Sequence, residues 1–208
     1  MSVTTDTEAD ATAQAAAVTA PPADVRVPYD DLATGERIRN RDPLYWDIVE
    51  WLDDEATVLD DQRTMDWAGS YLAQDLEYRM PVRQNRLRDD PKSQFSGGMF
   101  HYDEDYSTLF LKVMRLATTA SPWAENPLSR TRRFVSNVKV YRTPKEDEFG
   151  VVSSLLITRT RYTEETQLFL SMERRDLLRR DGDSFKVARR HILLDQTTVG
   201  WPNLAIFF

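Results

Sequence analysis

No cysteine occurs anywhere in the 208 residues. That excludes disulfides, iron–sulfur ligation, cysteine-based zinc sites and a cysteine nucleophile. Histidine is almost as scarce, with His101 and His191 the only two. Two histidines and a carboxylate can ligate non-haem iron, but these two lack any local H-x-x-x-H pairing, so no metal site is expected. Glycine numbers only 7, and the sequence contains no phosphate loop, no G-x-G-x-x-G, no G-x-S-x-G and no H-E-x-x-H. No segment approaches the roughly 20 apolar residues that span a bilayer. Residues 1–24 hold no Lys or Arg and no leucine-rich run, so neither a signal peptide nor an Arg-rich transit peptide is predicted, and a cytoplasmic location is expected. An excess of positive charge is also missing. Lys and Arg total 27 against 34 Asp and Glu, a net charge of −7, so nothing global points to nucleic acid.

What remains is an ordinary globular composition, 41% hydrophobic and 29% charged. A chain of this size buries about 70% of its unfolded surface and needs no covalent staples. Residues 1–24 stand apart: eight Ala, four acids, Pro21 and Pro22, and no aromatic. Such a segment cannot bury enough apolar surface to offset ordering. The organisation expected is an acidic, Ala-rich flexible tail over 1–27 and one domain over 28–208. Charge is uneven within that domain. Residues 130–190 carry a local net of +6, so an acidic, helix-rich first half meets a basic, strand-rich second half. Pairing across sheet faces is the simplest use of that asymmetry.

Asp42 can cap a helix that starts at Pro43, and Leu44, Ile48, Leu52, Ala56 and Leu59 recur at helical spacing. Its other face carries Asp47, Glu50, Asp53 and Asp54. A short helical turn is predicted over Trp67–Ala73. A strand follows over 75–82, with Leu76, Tyr78 and Met80 alternating inward and Pro81 at an edge or exit. Residues 83–98 read as a long exposed loop. A second helix is predicted over Asp103–Thr118, its stripe formed by Tyr106, Leu109, Phe110, Val113, Leu116 and Ala117. Pro122 and Pro127 bracket the next connection. Strands then follow over 130–143, with Phe134, Val138 and Val140 on one face, over 150–162 as a central strand, and over 165–180 and 185–195, joined by a tight Asp181–Ser184 turn. The terminal NLAIFF is apolar enough to be docked. Strands after helices argue an α+β fold, one bent, mainly antiparallel sheet around the N-terminal helices.

A pocket inside such a fold could support acid–base chemistry. Asp66, Tyr71, His101 and Asp195 are the candidates, though nothing in the sequence makes them converge. The arginine doublets Arg132-Arg133, Arg174-Arg175, Arg179-Arg180 and Arg189-Arg190 do not form single patches, because neighbours on a strand point to opposite faces. They suit oligomer contacts better than a nucleic-acid groove.

Five stretches carry a resemblance: LEYRMPVR at 76–83, WAENPLSRTRRFVSNV at 123–138, RRDLLRRDG at 174–182, ARRHILLDQ at 188–196 and the closing NLAIFF. In this order and spacing, from about residue 38 onward, the chain resembles the small (beta) subunit of aromatic-ring-hydroxylating dioxygenases. The long acidic segment at 1–24 departs from that pattern. The resemblance implies a cone-like fold of the nuclear-transport-factor-2 and ketosteroid-isomerase type. It also implies a beta trimer packed on three large alpha subunits, an alpha3beta3 hexamer. The alpha chain would hold a Rieske [2Fe-2S] cluster and mononuclear Fe(II), fed with electrons from NADH, and would add dioxygen to an aromatic ring to give a cis-dihydrodiol. This chain would then be structural, with no catalytic, metal or cofactor residue of its own, and would contact neither nucleic acid nor membrane. Trp123, Arg130, Arg132, Phe207 and Phe208 are the expected subunit-interface residues, since aromatic and Arg side chains are common anchors.

The competing readings are a stand-alone isomerase or dehydratase of the same fold and a small-ligand-binding protein. A wet pocket with an Asp–His or Asp–Tyr pair would favour the first of these. A roomy apolar pocket without such a pair would favour the second. An interior filled by Phe, Leu and Trp side chains would favour the structural subunit.

Overall fold

The computed structural model describes residues 30–118, 128–161, 167–201 and 203–208. The expectations for the segment 1–27, for Trp123 and for the connection between Pro122 and Pro127 lie outside these residues. A 3-10 turn, Asp30–Ala33, leads into the two-residue strand β1 (Arg37–Ile38), then helices α1 (Pro43–Asp60) and α2 (Thr64–Tyr71). Strands β2 (Leu72–Arg83) and β3 (Phe95–Asp105) form an antiparallel hairpin, followed by helix α3 (Tyr106–Thr118). Four long strands complete the chain: β4 (Arg130–Arg142), β5 (Glu148–Thr160), β6 (Leu168–Asp181) and β7 (Ser184–Leu194). The described strands form one sheet in the order β1-β4-β5-β6-β7-β2-β3. Every neighbouring pair is antiparallel except β2 with β7. All three helices pack against this sheet, α1 on β4 and α3 on β2.

Helix α1 begins as its sequence indicates. The Asp42 carboxylate accepts a hydrogen bond from the Leu44 N–H at 3.1 Å, and Pro43 occupies the first turn. The helix buries Ile48, Trp51, Leu52, Ala56 and Leu59 and leaves Asp47, Glu50, Asp53 and Asp54 exposed. It ends on Gln62 at φ 60°, with Gln62 N–H donating to Leu59 O and Arg63 N–H to Val58 O. This is a left-handed C-terminal cap, a position that usually selects glycine. The hairpin between β6 and β7 turns on Gly182 at φ 63°. Pro81 lies past the last β2–β7 pair, Arg79 with His191, and at a break in the β2–β3 register, where its missing N–H costs no ladder bond.

Two expectations need correction. The predicted loop over 83–98 is shorter, because Phe95 already opens β3, and the acids Asp103–Asp105 belong to this strand rather than to α3. The stretch FSGGMFHYDED has little strand propensity of its own. Pairing with β2 overrides it. Helix α3 starts at Tyr106 because Asp105 caps it, its Oδ1 accepting from the Thr108 N–H at 2.8 Å. The second correction concerns β4. Asn137, at φ 54°, forms a bulge, and the pairing with β5 jumps from Ser136–Ser154 to Lys139–Val152. One extra residue reverses the inward face of everything before it. Phe134 therefore points outward and is half exposed, while Arg133 points into the core. Val140 stays buried as expected.

Candidate functional site

The concave side of the sheet is where a pocket of this fold would lie, and charge fills its centre. Strands β6 and β7 alternate cleanly, so Met172, Arg174, Asp176 and Leu178 share the inner face with Arg190, Ile192 and Leu194. Arg190 spans two carboxylates. Its Nε and Nη2 donate to Asp176 at 2.8 Å each, and its Nη1 and Nη2 donate to Glu55 of α1 at 2.7 and 3.0 Å. Arg174 pairs with the same two acids, at 3.1 Å to Glu55 and 3.0 Å to Asp176. Trp67 Nε1 donates to Glu55 at 3.0 Å. All four charged side chains are at most 2% exposed. Burial pushes the Glu55 carboxyl up, but Arg190 and Arg174 outweigh it and hold it at about 2. Burial likewise lowers Arg190, and Asp176 and Glu55 reverse this and place it well above the ordinary guanidinium value. The two acids and the two guanidiniums match in formal charge, and Glu55 and Arg190 are held ionised with no proton to give or take near neutral pH.

The last six residues close over this cluster. Arg159 Nη1 donates to Asn203 O at 2.9 Å, Tyr102 Oη to Ile206 O at 3.2 Å, and Arg133 Nη2 to Phe207 O at 2.6 Å. Arg190 Nη1 donates to Phe208 O at 2.6 Å, and Phe208 N–H donates to Tyr78 Oη at 3.0 Å. The Phe207 ring stacks on Trp67 with centroids 5.2 Å apart, and Phe208 meets Tyr102 edge-on at 6.0 Å. Burial raises the phenols of both Tyr78 and Tyr102 far above their ordinary value. The interior is therefore packed with Trp, Tyr and Phe around matched charges, and neither an Asp–His nor an Asp–Tyr pair stands in it among the described residues.

The acid–base candidates lie apart from it and from one another. Asp66 is exposed on α2 and paired with Arg63 at 3.0 Å. Tyr71 packs against Trp51 at the end of α2. Asp195 follows β7 at the surface, accepting from Ser171 Oγ and lying 3.7 Å from Arg83. His101 is half-buried on β3, and desolvation lowers its pKa. His191 is buried on the outer side of β7, its Nε2 2.8 Å from Glu77, and burial outweighs that carboxylate and lowers it too. With β2 between their strands, the two histidines stand roughly 10 Å apart at ordinary interstrand spacing. Among the described residues no three His, Asp or Glu side chains gather as a metal site would require. A Rieske cluster needs two Cys and two His, and a chain without Cys does not fit it.

The interface candidates divide. Phe207 and Phe208 are buried inside their own chain. Arg130 and Arg132 are exposed on the outer face of β4. The doublets also need reinterpretation: Arg133, Arg174 and Arg190 turn inward and are committed to pairing within the chain. Sequence reasoning missed Glu55 because it sits inside an otherwise apolar helical stripe. The only available signal was that an acid at a core position demands a buried cation.

Comparison with known proteins gives a consistent picture. The family described as ring hydroxylating beta subunit matches residues 54–200. The beta subunit of benzene 1,2-dioxygenase from Pseudomonas putida is 37% identical over 158 residues, covering 74% of this chain and 83% of that one. The beta subunit of biphenyl 2,3-dioxygenase from Rhodococcus jostii is 35% identical over the same length and shares. Among solved structures, naphthalene 1,2-dioxygenase with indole bound matches with a TM-score of 0.75 at 19% identity, covering 86% of this chain and 92% of that one. The last likeness concerns the fold alone, which is the cone-like α+β type.

Proposed function

We infer the function from one premise: the chain belongs to the family of ring hydroxylating beta subunits. It is the small subunit of an aromatic-ring-hydroxylating dioxygenase, part of an oxidoreductase complex. Its role there is structural. The observation that carries this reading is the closed interior, where Glu55, Arg174, Asp176 and Arg190 are mutually neutralised beneath Phe207 and Phe208. The stand-alone isomerase or dehydratase reading finds no support, since Asp66, Tyr71, His101 and Asp195 occupy separate neighbourhoods.

The finer picture is as follows. An alpha subunit holds the Rieske [2Fe-2S] cluster and the mononuclear Fe(II), receives electrons from NADH through carrier proteins, and hydroxylates the ring to a cis-dihydrodiol. This chain, a single domain from about residue 28, supports that subunit in a cytoplasmic alpha3beta3 complex free of nucleic acid and membrane. No helix among the described residues is long and apolar enough to cross a membrane. The outer face of the sheet offers a contact surface. Arg132, Thr158 and Phe169 form one cross-strand row, and Phe134, Leu156 and Ser171 form the next. Phe134, Leu156 and Phe169 are all exposed there, with Arg130 and Arg132 alongside. An apolar patch rimmed by arginine suits a subunit interface. The test is co-expression with the large subunit. Phe134→Asp and Arg132→Glu should each cut the yield of complex severalfold while the separate chain keeps its helical and sheet signature. Full assembly by both variants would remove this surface from the interface.

A further inference from the structure

The segment 1–24, with Asp6, Glu8, Asp10 and Asp24 and no Lys or Arg, is used by neither the fold nor the assembly reading. The structure shows where the chain that follows it meets the sheet. Phe149 and Val151 belong to the core, so Gly150 between them faces outward. A Cβ built on Gly150 would lie 2.1 Å from Leu32 O. The 3-10 turn Asp30–Ala33 therefore rests on the outer face of β5, and Asp31 pairs with Arg189 of β7 at 2.6 Å. The chain thus stands on the outer face at residue 30.

A depression of about 350 Å³ opens on the same face, where the Asn137 bulge interrupts the β4–β5 pairing. Val152, in its wall, is two residues along β5 from Gly150, about 7 Å. The charged residues of the wall are Arg37, Lys139 and Glu173; Asn137, Ser153, Ser154 and two valines complete it. Asn137 Nδ2 donates to Ser154 Oγ at 3.2 Å, and Glu173 accepts from Arg175 Nε at 2.6 Å. Arg37 pairs with Tyr141 in the β1–β4 ladder, so Lys139 is its diagonal neighbour, about 7–8 Å away. Neither of these two exposed cations forms an ion pair among the described residues. Along β6 and β7, by contrast, Arg179, Lys186 and Arg189 are each paired with an acid of this chain. The depression is thus locally positive in a chain of net charge −7. It adjoins the apolar patch: the row Ser136, Ser154 and Glu173 lies next to the row Phe134, Leu156 and Ser171.

We propose that the acidic segment 1–24 docks in this depression of its own chain, its carboxylates on Arg37 and Lys139, and so covers the face offered to the large subunit. Charge and tether both select this occupant. Asp24 lies six residues before Asp30, a reach of up to about 20 Å, and Asp10 twenty residues before it, up to about 70 Å. Tethering supplies an effective concentration of the order of millimolar, which populates ion pairs that are weak between separate molecules. The large subunit displaces the segment when it takes up this face. That consequence rests on the assembly reading; the docking does not.

The test is carbodiimide cross-linking of the full-length chain alone, which joins a carboxylate to a lysine amine only where the two touch, with mass spectrometry of the products. At about 10 mM salt, where the Debye length is about 30 Å, Lys139 should be joined to Asp6, Glu8, Asp10 or Asp24. The yield should be at least about fivefold above that at Lys92, an exposed lysine without an ion pair among the described residues. It should fall at least about threefold in Arg37→Ser, and likewise at about 1 M salt, where the Debye length is about 3 Å. Isotope-labelled and unlabelled chains mixed before reaction should give no mixed-label pairs. Lys139 left unjoined to residues 1–24, equal joining at Lys92, or mixed-label pairs in statistical share would each overturn the docking. In a second arm, the full-length variant Asp6→Asn, Glu8→Gln, Asp10→Asn, Asp24→Asn should bind the large subunit about two- to tenfold more tightly. The large subunit should also abolish the Lys139 cross-link of the unaltered chain. Equal affinity with a persisting cross-link would overturn the covering role. Failure of any complex to form would overturn the assembly reading and leave the cross-linking result standing.

Discussion

Glu55→Gln is the substitution that probes the interior most sharply. The carboxylate takes three contacts from two guanidiniums, at 2.7, 3.0 and 3.1 Å, and one from Trp67 Nε1 at 3.0 Å. Glutamine keeps the shape but offers one acceptor where two stood, and it turns an amide donor toward a guanidinium. Arg174 and Arg190 would then share Asp176 alone, leaving one uncompensated positive charge in a region at most 2% exposed. Removing one partner of a buried ion pair costs about 3–5 kcal/mol, most of it the penalty of the stranded charge. With a urea slope of about 2–3 kcal/mol/M for a domain of this size, the unfolding midpoint should fall by roughly 1–2 M. A second substitution separates charge imbalance from lost packing. Adding Arg174→Met to Glu55→Gln restores neutrality, with Arg190 facing Asp176, and should recover at least about 1 kcal/mol despite deleting a further polar group. A loss below about 1 kcal/mol in Glu55→Gln, or a double variant less stable than the single one, would refute the reasoning.

Three further outcomes follow from the same geometry. Phe208→Ala should destabilise the chain by about 3–5 kcal/mol in thermal or urea unfolding, as for a large core aromatic, whereas Phe134→Ala on the outer face should change it by less than about 0.5 kcal/mol; equal effects would contradict the placement of both rings. The Glu55 carboxyl is held at about 2 against an ordinary 4.5, so its contribution is complete above pH 4.5 and is lost as pH falls from 4.5 towards 2. That amounts to about 3 kcal/mol, and the acid limb of the stability–pH curve should flatten in Glu55→Gln. Asn137, at φ 54° in the β4 bulge, should tolerate Gly within about 0.5 kcal/mol, while Asn137→Val should cost about 1–3 kcal/mol through backbone strain; a neutral valine would refute the bulge.

Much of this architecture was legible because local chemistry and tertiary demand agree. Asp42-Pro43 marks the start of α1, and Leu76, Tyr78 and Met80 alternate as their strand requires. Gly182 marks the last hairpin, and the apolar NLAIFF is indeed docked. The failures have physical causes. Gln62 and Asn137 adopt positive φ without glycine to announce it, and the Asn137 bulge exchanges the faces of Phe134 and Arg133. Strand β3 exists because β2 supplies a pairing edge, not because its Gly- and Asp-rich sequence favours extension. The interior cluster was hidden for a different reason. Glu55 on α1 lies far in sequence from Arg174, Asp176 and Arg190 on the β6–β7 hairpin, and only the hairpin register and the seating of α1 bring the four together. The doublets looked like surface features, whereas three of them each place one arginine in the core.

The most direct test is native mass spectrometry combined with iron analysis of this chain purified with its large subunit and, separately, by itself. The account predicts an equimolar complex in which all iron resides with the large subunit, and iron-free small subunit when it is isolated. Stoichiometric iron on the isolated chain, or a chain that never joins the large subunit, would contradict it.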